Sequence, residues 1–85
     1  MTRLWPEGKA ITVTSDGQNW PLAFVWEGRR HRTRTVVQHW RVDTEWWQET
    51  RVWRDYFTLI TDTGLMVTIF CDLLTEGWYL QQLFD

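Results

Sequence analysis

The sequence has few of the residues that small proteins use as covalent or metal cross-links. It contains one cysteine, Cys71, and two histidines among 85 residues. A single cysteine excludes an internal disulfide and any zinc site built from several cysteines. The two histidines lack metal-ligand spacing, and no carboxylate pattern has the spacing of a calcium-binding loop. We therefore expect no metal and no cofactor.

Long apolar segments and catalytic patterns are also absent. No run reaches the roughly 20 residues of a membrane helix, and the N-terminus has no apolar stretch of signal-peptide length. These absences predict a cytoplasmic protein without membrane association. Cys71 follows Phe70 in an apolar segment, far in sequence from both histidines. This setting predicts an inert buried thiol, and we expect no enzymatic activity.

Aromatic residues are present in excess. The chain holds eight tryptophans, four phenylalanines and two tyrosines. Because a buried aromatic ring removes on the order of 150–250 Å² from water, these residues can build the core of a small domain without cross-links. Helical spacing of apolar residues is nearly absent, whereas alternation of apolar and polar residues is common. The pattern predicts one all-β domain over residues 1–85 with little helix.

Alternation and turn residues together predict about six short antiparallel strands, at residues 11–14, 22–27, 32–42, 52–61, 65–72 and 78–84. Adjacent Val36 and Val37 break the alternation of the third strand, and a β-bulge would resolve the break. Several strands carry apolar residues on both faces, so the meander should curl into a bent sheet or barrel. Residues 1–8, which contain Pro6 and Gly8, are expected to be a loose N-terminal segment.

The same alternation assigns a core. We expect six side chains to be mostly buried, namely Trp53, Phe57, Leu59, Ile69, Trp78 and Leu80. Charge is distributed unevenly although the net charge is −2: residues 1–42 hold seven basic and three acidic residues, and residues 43–85 hold two and eight. The split indicates a dipolar surface or pairing between strands of the two halves, and pairing is the expectation.

One basic run, residues 29–34, is the candidate nucleic-acid site. In a strand, Arg30, Arg32 and Arg34 share one face, and Trp26 and Trp40 flank the run. Such a row can contact phosphates while aromatic rings stack on unpaired bases. The alternatives are a solvated row that protects a sheet edge, or ion pairs with the acidic half.

The tryptophan pair Trp46-Trp47 is the candidate protein-binding site. Neighbouring residues of a strand face opposite sides, so both rings cannot point inward from one strand. An exposed tryptophan beside Asp43, Glu45 and Glu49 would be a favoured interface anchor. The alternative is a loop that folds both rings back over an open barrel end.

Short aromatic motifs in residues 24–85 resemble an uncharacterised bacterial family of domains of unknown function. They are also similar to the extreme C-terminal segment of ImuB-type proteins, which are catalytically defective relatives of Y-family DNA polymerases. The residues that carry the resemblance are Trp26-Glu27-Gly28-Arg29-Arg30-His31-Arg32, Trp40-Arg41, Trp46-Trp47, Arg54-Asp55-Tyr56-Phe57, Asp62-Thr63-Gly64, Ile69-Phe70-Cys71-Asp72, Gly77-Trp78-Tyr79-Leu80 and Phe84-Asp85. Glu27 departs from the family pattern, in which a basic residue is common at this position. The resemblance implies a cytoplasmic bacterial protein linked to error-prone DNA synthesis. It implies no polymerase activity, because the polymerase-like portion has no counterpart here.

Together these observations predict a small non-enzymatic β module that docks a protein partner. The alternative is a barrel that binds single-stranded nucleic acid. The negative net charge, and the acidic residues around the tryptophan pair, favour the protein partner.

Overall fold

The computed structural model describes residues 2–44 and 51–84, and its strands form one antiparallel sheet. The strands are β1 (Arg3–Ala10), β2 (Thr12–Ser15), β3 (Pro21–Trp26), β4 (Arg29–Asp43), β5 (Trp53–Thr61), β6 (Met66–Asp72) and β7 (Gly77–Phe84). Their order across the sheet is β1-β7-β6-β5-β4-β3-β2. The described residues contain no helix. The predicted all-β antiparallel fold is confirmed, with seven strands where about six were expected.

The sheet curls because its two outermost strands, β1 and β2, are joined by a single residue. Ile11 separates β1 from β2, yet β1 pairs with β7 and β2 pairs with β3 at the other end of the strand order. The Ile11 backbone N–H donates to the Trp78 carbonyl oxygen at 3.1 Å. The two ends of the sheet therefore share one stretch of chain, and the sheet forms a curled half-barrel.

The N-terminal residues differ from expectation. Residues 3–10 form strand β1 instead of the loose segment expected for residues 1–8. The register shifts between Leu4 and Lys9, and Gly8 within this irregular stretch has a φ of 80°. Proline has no N–H to donate and glycine tolerates positive φ, so both suit a bulged edge strand. Pro6 and Gly8 therefore mark a bulge within β1.

Strand β4 is long and changes its pairing along its length. Residues 29–32 pair with β3, and residues 33–43 pair with β5. One register shift lies between Val36 and Gln38, which confirms the bulge expected at the two valines. A second shift lies between Thr33 and Thr35. Pairing of β4 with β3 ends at Arg32, opposite Ala23 and close to the first residue of β3.

The core lies on the concave face of the sheet. Its members come from β3, β5, β6 and β7, and they are Phe24, Trp26, Phe57, Leu59, Val67, Ile69 and Leu80. Four of the six predicted core residues belong to this set. Trp78 is half-buried and packs against it, whereas Trp53 is half-buried outside it. The predicted faces of β5, β6 and β7 are therefore confirmed.

Candidate functional site

Four aromatic rings lie side by side across β4 to β7, on the face opposite the core, with stacked outer pairs and a central pair tilted by 36°. The register places Trp40 beside Tyr56, Tyr56 beside Phe70, and Phe70 beside Tyr79. Ring centroids of successive neighbours are 5.1 Å apart at each of the three steps. The Arg54 guanidinium carbon lies 4.5 Å from the Phe70 centroid. We call Trp40, Tyr56, Phe70 and Tyr79 the aromatic ladder.

The aromatic ladder is covered at one end and open at the other. At the β7 end, Gly8 lies so close to the Phe70 and Tyr79 side chains that an added Cβ would be 2.8 Å from each. At the β4 end, Trp40 stacks on Tyr56 at an interplanar angle of 5°. Pairing with β3 stops at Arg32, and no other described strand pairs with β4 on that side. Trp40 is thus the last ring at an unpaired edge.

The backbone directions at this edge follow from two hydrogen bonds. The Thr44 N–H donates to the Val52 carbonyl oxygen, and the Leu73 N–H donates to the Trp53 carbonyl oxygen, both at 2.8 Å. Successive residues of an antiparallel strand direct their backbone groups to alternate sides. Gln38, Trp40 and Val42 therefore bond to β5, while the N–H and C=O groups of His39, Arg41 and Asp43 point away from it. We call residues 38–43 the β4 edge.

A buried carboxylate, Asp55, forms an ion pair with Arg41 beneath the β4 edge. Arg41 donates to Asp55 from Nε to Oδ1 at 2.7 Å and from Nη2 to Oδ2 at 3.1 Å. His39 Nε2 lies 3.5 Å from the same Oδ1. The hydrogen bond from Arg41 outweighs burial and lowers the pKa of Asp55, and the same bond raises the pKa of Arg41. The expected pairing between the basic and acidic halves occurs here.

The other side chains near the β4 edge are held by ring packing and by one hydrogen bond to sulfur. His39 stacks on Phe57 with centroids 4.5 Å apart, and Trp20 packs edge-on against both rings. The Asn19 side-chain amide donates to the Cys71 sulfur at 3.4 Å. Cys71 is buried, and burial raises the pKa of its thiol. The thiol is protonated at neutral pH, which disfavours nucleophilic chemistry.

The basic row is exposed but only partly aligned. Arg30 and Arg32 lie opposite Val25 and Ala23, on the face away from the core. Arg34 is exposed too, but it lies within a register shift and does not continue their alternation. Within residues 2–44 and 51–84, no carboxylate oxygen lies within 4.0 Å of these three guanidinium groups. The row therefore makes no ion pair with the acidic half in this part of the chain.

The candidate protein-binding residues Trp46 and Trp47 lie outside the described residues. The segment that contains them is flanked by a side-chain contact of 3.3 Å between Arg51 and Asp43. Next to that contact, Thr44 and Val52 are hydrogen-bonded to each other. The structure thus describes the two strand ends on either side of the tryptophan pair.

Two further features are absent from the part of the chain that the structure describes. No three histidine, cysteine, aspartate or glutamate side chains are grouped so that they could hold a metal ion. A helix long and apolar enough to cross a membrane is not found in these residues either.

Comparison with known proteins yields one match. No curated protein matches the chain, and no solved structure does. The model of a family of domains of unknown function, DUF6504, matches residues 5–85. The match includes β2 to β7 and most of β1. It therefore contains the aromatic ladder, the β4 edge and the basic row, and the chain belongs to the DUF6504 family.

Proposed function

We propose that this protein is a non-enzymatic interaction module whose β4 edge accepts an extended segment of a protein partner. The observation that carries the proposal is the unpaired edge itself. His39, Arg41 and Asp43 direct backbone N–H and C=O groups away from β5, next to the open end of the aromatic ladder. Addition of a partner strand to such an edge uses these main-chain groups for affinity and the side chains for specificity.

The β4 edge suits strand addition better than the outer sides of β1 and β2. β1 contains Pro6 and a register shift, and β2 has only four residues. Short, bulged and proline-containing edges resist pairing. The β4 edge has six consecutive residues in regular register with β5 and contains neither proline nor glycine. It is therefore the best-formed unpaired edge in the described sheet.

The side chains around the β4 edge define the chemistry of the partner segment. Arg41 is already paired with Asp55, so the incoming strand needs no additional acid to neutralise this arginine. One face of the Trp40 ring stacks on Tyr56, and the other face lies toward the β4 edge. Val37, three residues earlier in β4, is 53% exposed. We propose a partner strand with a flat or apolar side chain beside Trp40, because aromatic anchors dominate interface energetics.

The sequence resemblance extends the proposal to a cellular context. Similarity to the C-terminal segment of ImuB-type proteins supports a partner in bacterial error-prone DNA synthesis and a cytoplasmic location. Trp46 and Trp47 follow the β4 edge in sequence after two intervening residues. They remain predicted anchors for the same partner.

A displayed library of random linear peptides tests the proposal. Selected peptides should shift the amide resonances of His39, Arg41 and Asp43 and protect these amides from hydrogen exchange. Trp40→Ala should weaken their binding, and the matched control Arg30→Gln/Arg32→Gln should leave it unchanged. Selected peptides that act only at the basic row would count against the β4 edge, as would a library that yields no binder.

Single-stranded nucleic acid is the second candidate ligand. It is favoured by the exposure of Arg30 and Arg32, whose guanidinium groups form no ion pair with a described carboxylate. The contact of Asp62 with Arg32 is a hydrogen bond from the Arg32 backbone N–H, at 3.2 Å. An oligothymidylate should quench tryptophan fluorescence, with a log–log salt slope of about 0.7 for each phosphate contact. Replacement of Arg30, Arg32 and Arg34 by Gln should flatten the slope. The control Arg29→Gln changes an arginine that pairs with Trp26 on the core side. Equal slopes in the parent and the triple variant would refute this candidate.

A further inference from the structure

We infer that a second copy of this chain occupies the β4 edge when no partner is bound, in an antiparallel dimer centred on Trp40. The inference rests on the proposed docking edge and names one occupant for it. The described strand that combines a regular unpaired edge with a ring at its centre is β4 itself. The β4 strand of a second copy can therefore pair with the unpaired backbone groups of the β4 edge.

Backbone direction restricts the register of such a dimer. His39, Arg41 and Asp43 present their N–H and C=O groups at the β4 edge, as the bonds of Thr44 and Leu73 establish. In an antiparallel pair, outward-pointing groups must meet outward-pointing groups. If the two-fold axis passes beside Trp40, His39 faces Arg41 of the second copy and the two exchange backbone hydrogen bonds. Gln38 then faces Val42 of the second copy.

The aromatic ladder selects this register among those that the backbone allows. Trp40 directs its own backbone groups to β5, so the two Trp40 residues would form a non-hydrogen-bonded pair. Side chains approach most closely in such pairs, and neighbouring strands lie about 4.8 Å apart. That spacing is close to the 5.1 Å between successive rings of the ladder. The second Trp40 thus continues a stack of four rings into one of eight.

The charges at the interface are compatible with self-pairing. His39 would lie beside Arg41 of the second copy, but Arg41 forms two hydrogen bonds to Asp55 within its own chain. Each copy therefore brings its own buried carboxylate to the pair. Pairing of residues 38–42 with the same five residues of the second copy buries far less than the ~800 Å² per partner of a standard stable interface. The dimer should be weak and concentration-dependent, so a partner strand can displace it.

Engineered cysteines test both the dimer and its register. The double variant Gln38→Cys/Val42→Cys should form intermolecular disulfides under mild oxidation, because residues 38 and 42 of the two copies face each other. The two positions are about 13 Å apart within one strand, which excludes an internal bond. Neither single variant should cross-link. Thr12→Cys/Thr14→Cys, at exposed positions on β2 outside the β4 edge, is the matched control and should not cross-link.

Sedimentation of the unmodified chain provides the independent measurement. Its average mass should rise from that of the monomer toward that of the dimer with concentration, and Trp40→Ala should weaken dimerisation about tenfold. A monomer at every concentration would overturn the dimer, and a cross-linked single variant would overturn the register. Peptide binding by a strictly monomeric chain would leave the docking edge intact. A dimer that binds no selected peptide would instead refute the proposed function alone.

Discussion

At the scale of single residues, Gly8 is the position most tightly constrained by its surroundings. Its φ of 80° is unfavourable for other residues, and an added Cβ would lie 2.8 Å from both Phe70 and Tyr79. Gly8→Ala should therefore lower the free energy of unfolding by about 2 kcal/mol. Gly17→Ala is the matched control, because nothing lies within 4 Å of its added Cβ. Equal urea midpoints for the two variants would contradict the prediction.

Asp55 determines how the protein responds to acid. Its pKa in the folded state lies below the ordinary value of 3.8, chiefly because Arg41 donates to it. A lowered pKa stabilises the fold above the ordinary value, and the stabilisation is lost as the pH falls through that value toward the folded pKa. Urea unfolding across pH should show the parent losing stability below about pH 4. Asp55→Asn should be less stable than the parent at neutral pH, and its free energy of unfolding should fall less steeply below pH 4. An equally steep fall in the variant and the parent would refute this role of Asp55.

Residue burial could be predicted from sequence only in part. Phe57, Leu59, Ile69 and Leu80 were identified because each lies in the middle of a long alternating strand, where the face is unambiguous. Trp53 and Trp78 lie at or next to the first residue of their strands. A large ring near the end of a sheet keeps one side in contact with solvent, and alternation carries no information about distance from that end.

At the scale of elements, the β3–β4 hairpin turn contains a residue that fits its backbone poorly. Glu27 and Gly28 join Trp26 to Arg29, with φ angles of 51° and 75°. Two-residue hairpin turns with positive φ at both positions favour Asn-Gly. Glu27→Asn should raise the free energy of unfolding by about 0.5 kcal/mol, because asparagine tolerates left-handed backbone better than glutamate. The lost contact with Arg3 joins two exposed side chains and contributes little.

Thermal unfolding measures this effect, and Glu27→Val provides the opposite case. A β-branched residue is strained at positive φ, so this variant should melt below the parent. The turn geometry is supported if the melting temperature is highest with Asn at position 27, intermediate with Glu and lowest with Val. A valine variant as stable as the asparagine variant would contradict it.

Local sequence features identified most strands, whereas pairing between distant strands was beyond them. The bulge in β4 was predictable, because Val36 and Val37 visibly break an alternating pattern. The sequence does not predict strand β1, because proline and glycine are common both in loose terminal segments and in bulged edge strands. Only the pairing with β7 distinguishes the strand from a loose segment. The aromatic ladder and the β4 edge depend on the register and curl of the whole sheet. No local pattern encodes either property.

At the scale of the whole molecule, the sheet predicts a pattern of hydrogen exchange. Central strands open least often, so amides in the middle of β5 and β6, such as those of Leu59 and Ile69, should exchange most slowly. In dilute protein, the amides of Trp40 and Val42 should be protected by β5, and those of His39 and Arg41 should exchange quickly. Alternation along one strand is diagnostic of an unpaired edge. Uniform protection from Gln38 to Asp43 in the monomer would show that the edge is covered.

The pairing of β1 with β7 also has a consequence for how the chain is made. Arg3 lies opposite Leu83, so β1, which precedes the other described strands in the chain, can join the sheet only after β7 has been synthesised. Until then the Phe70 and Tyr79 rings lack their contact with Gly8, and β1 remains an unpaired segment of the chain. The sheet is therefore completed only by a contact between its first and its seventh strand in chain order. Contacts this distant in sequence also make the final step slow compared with the closing of the local hairpins.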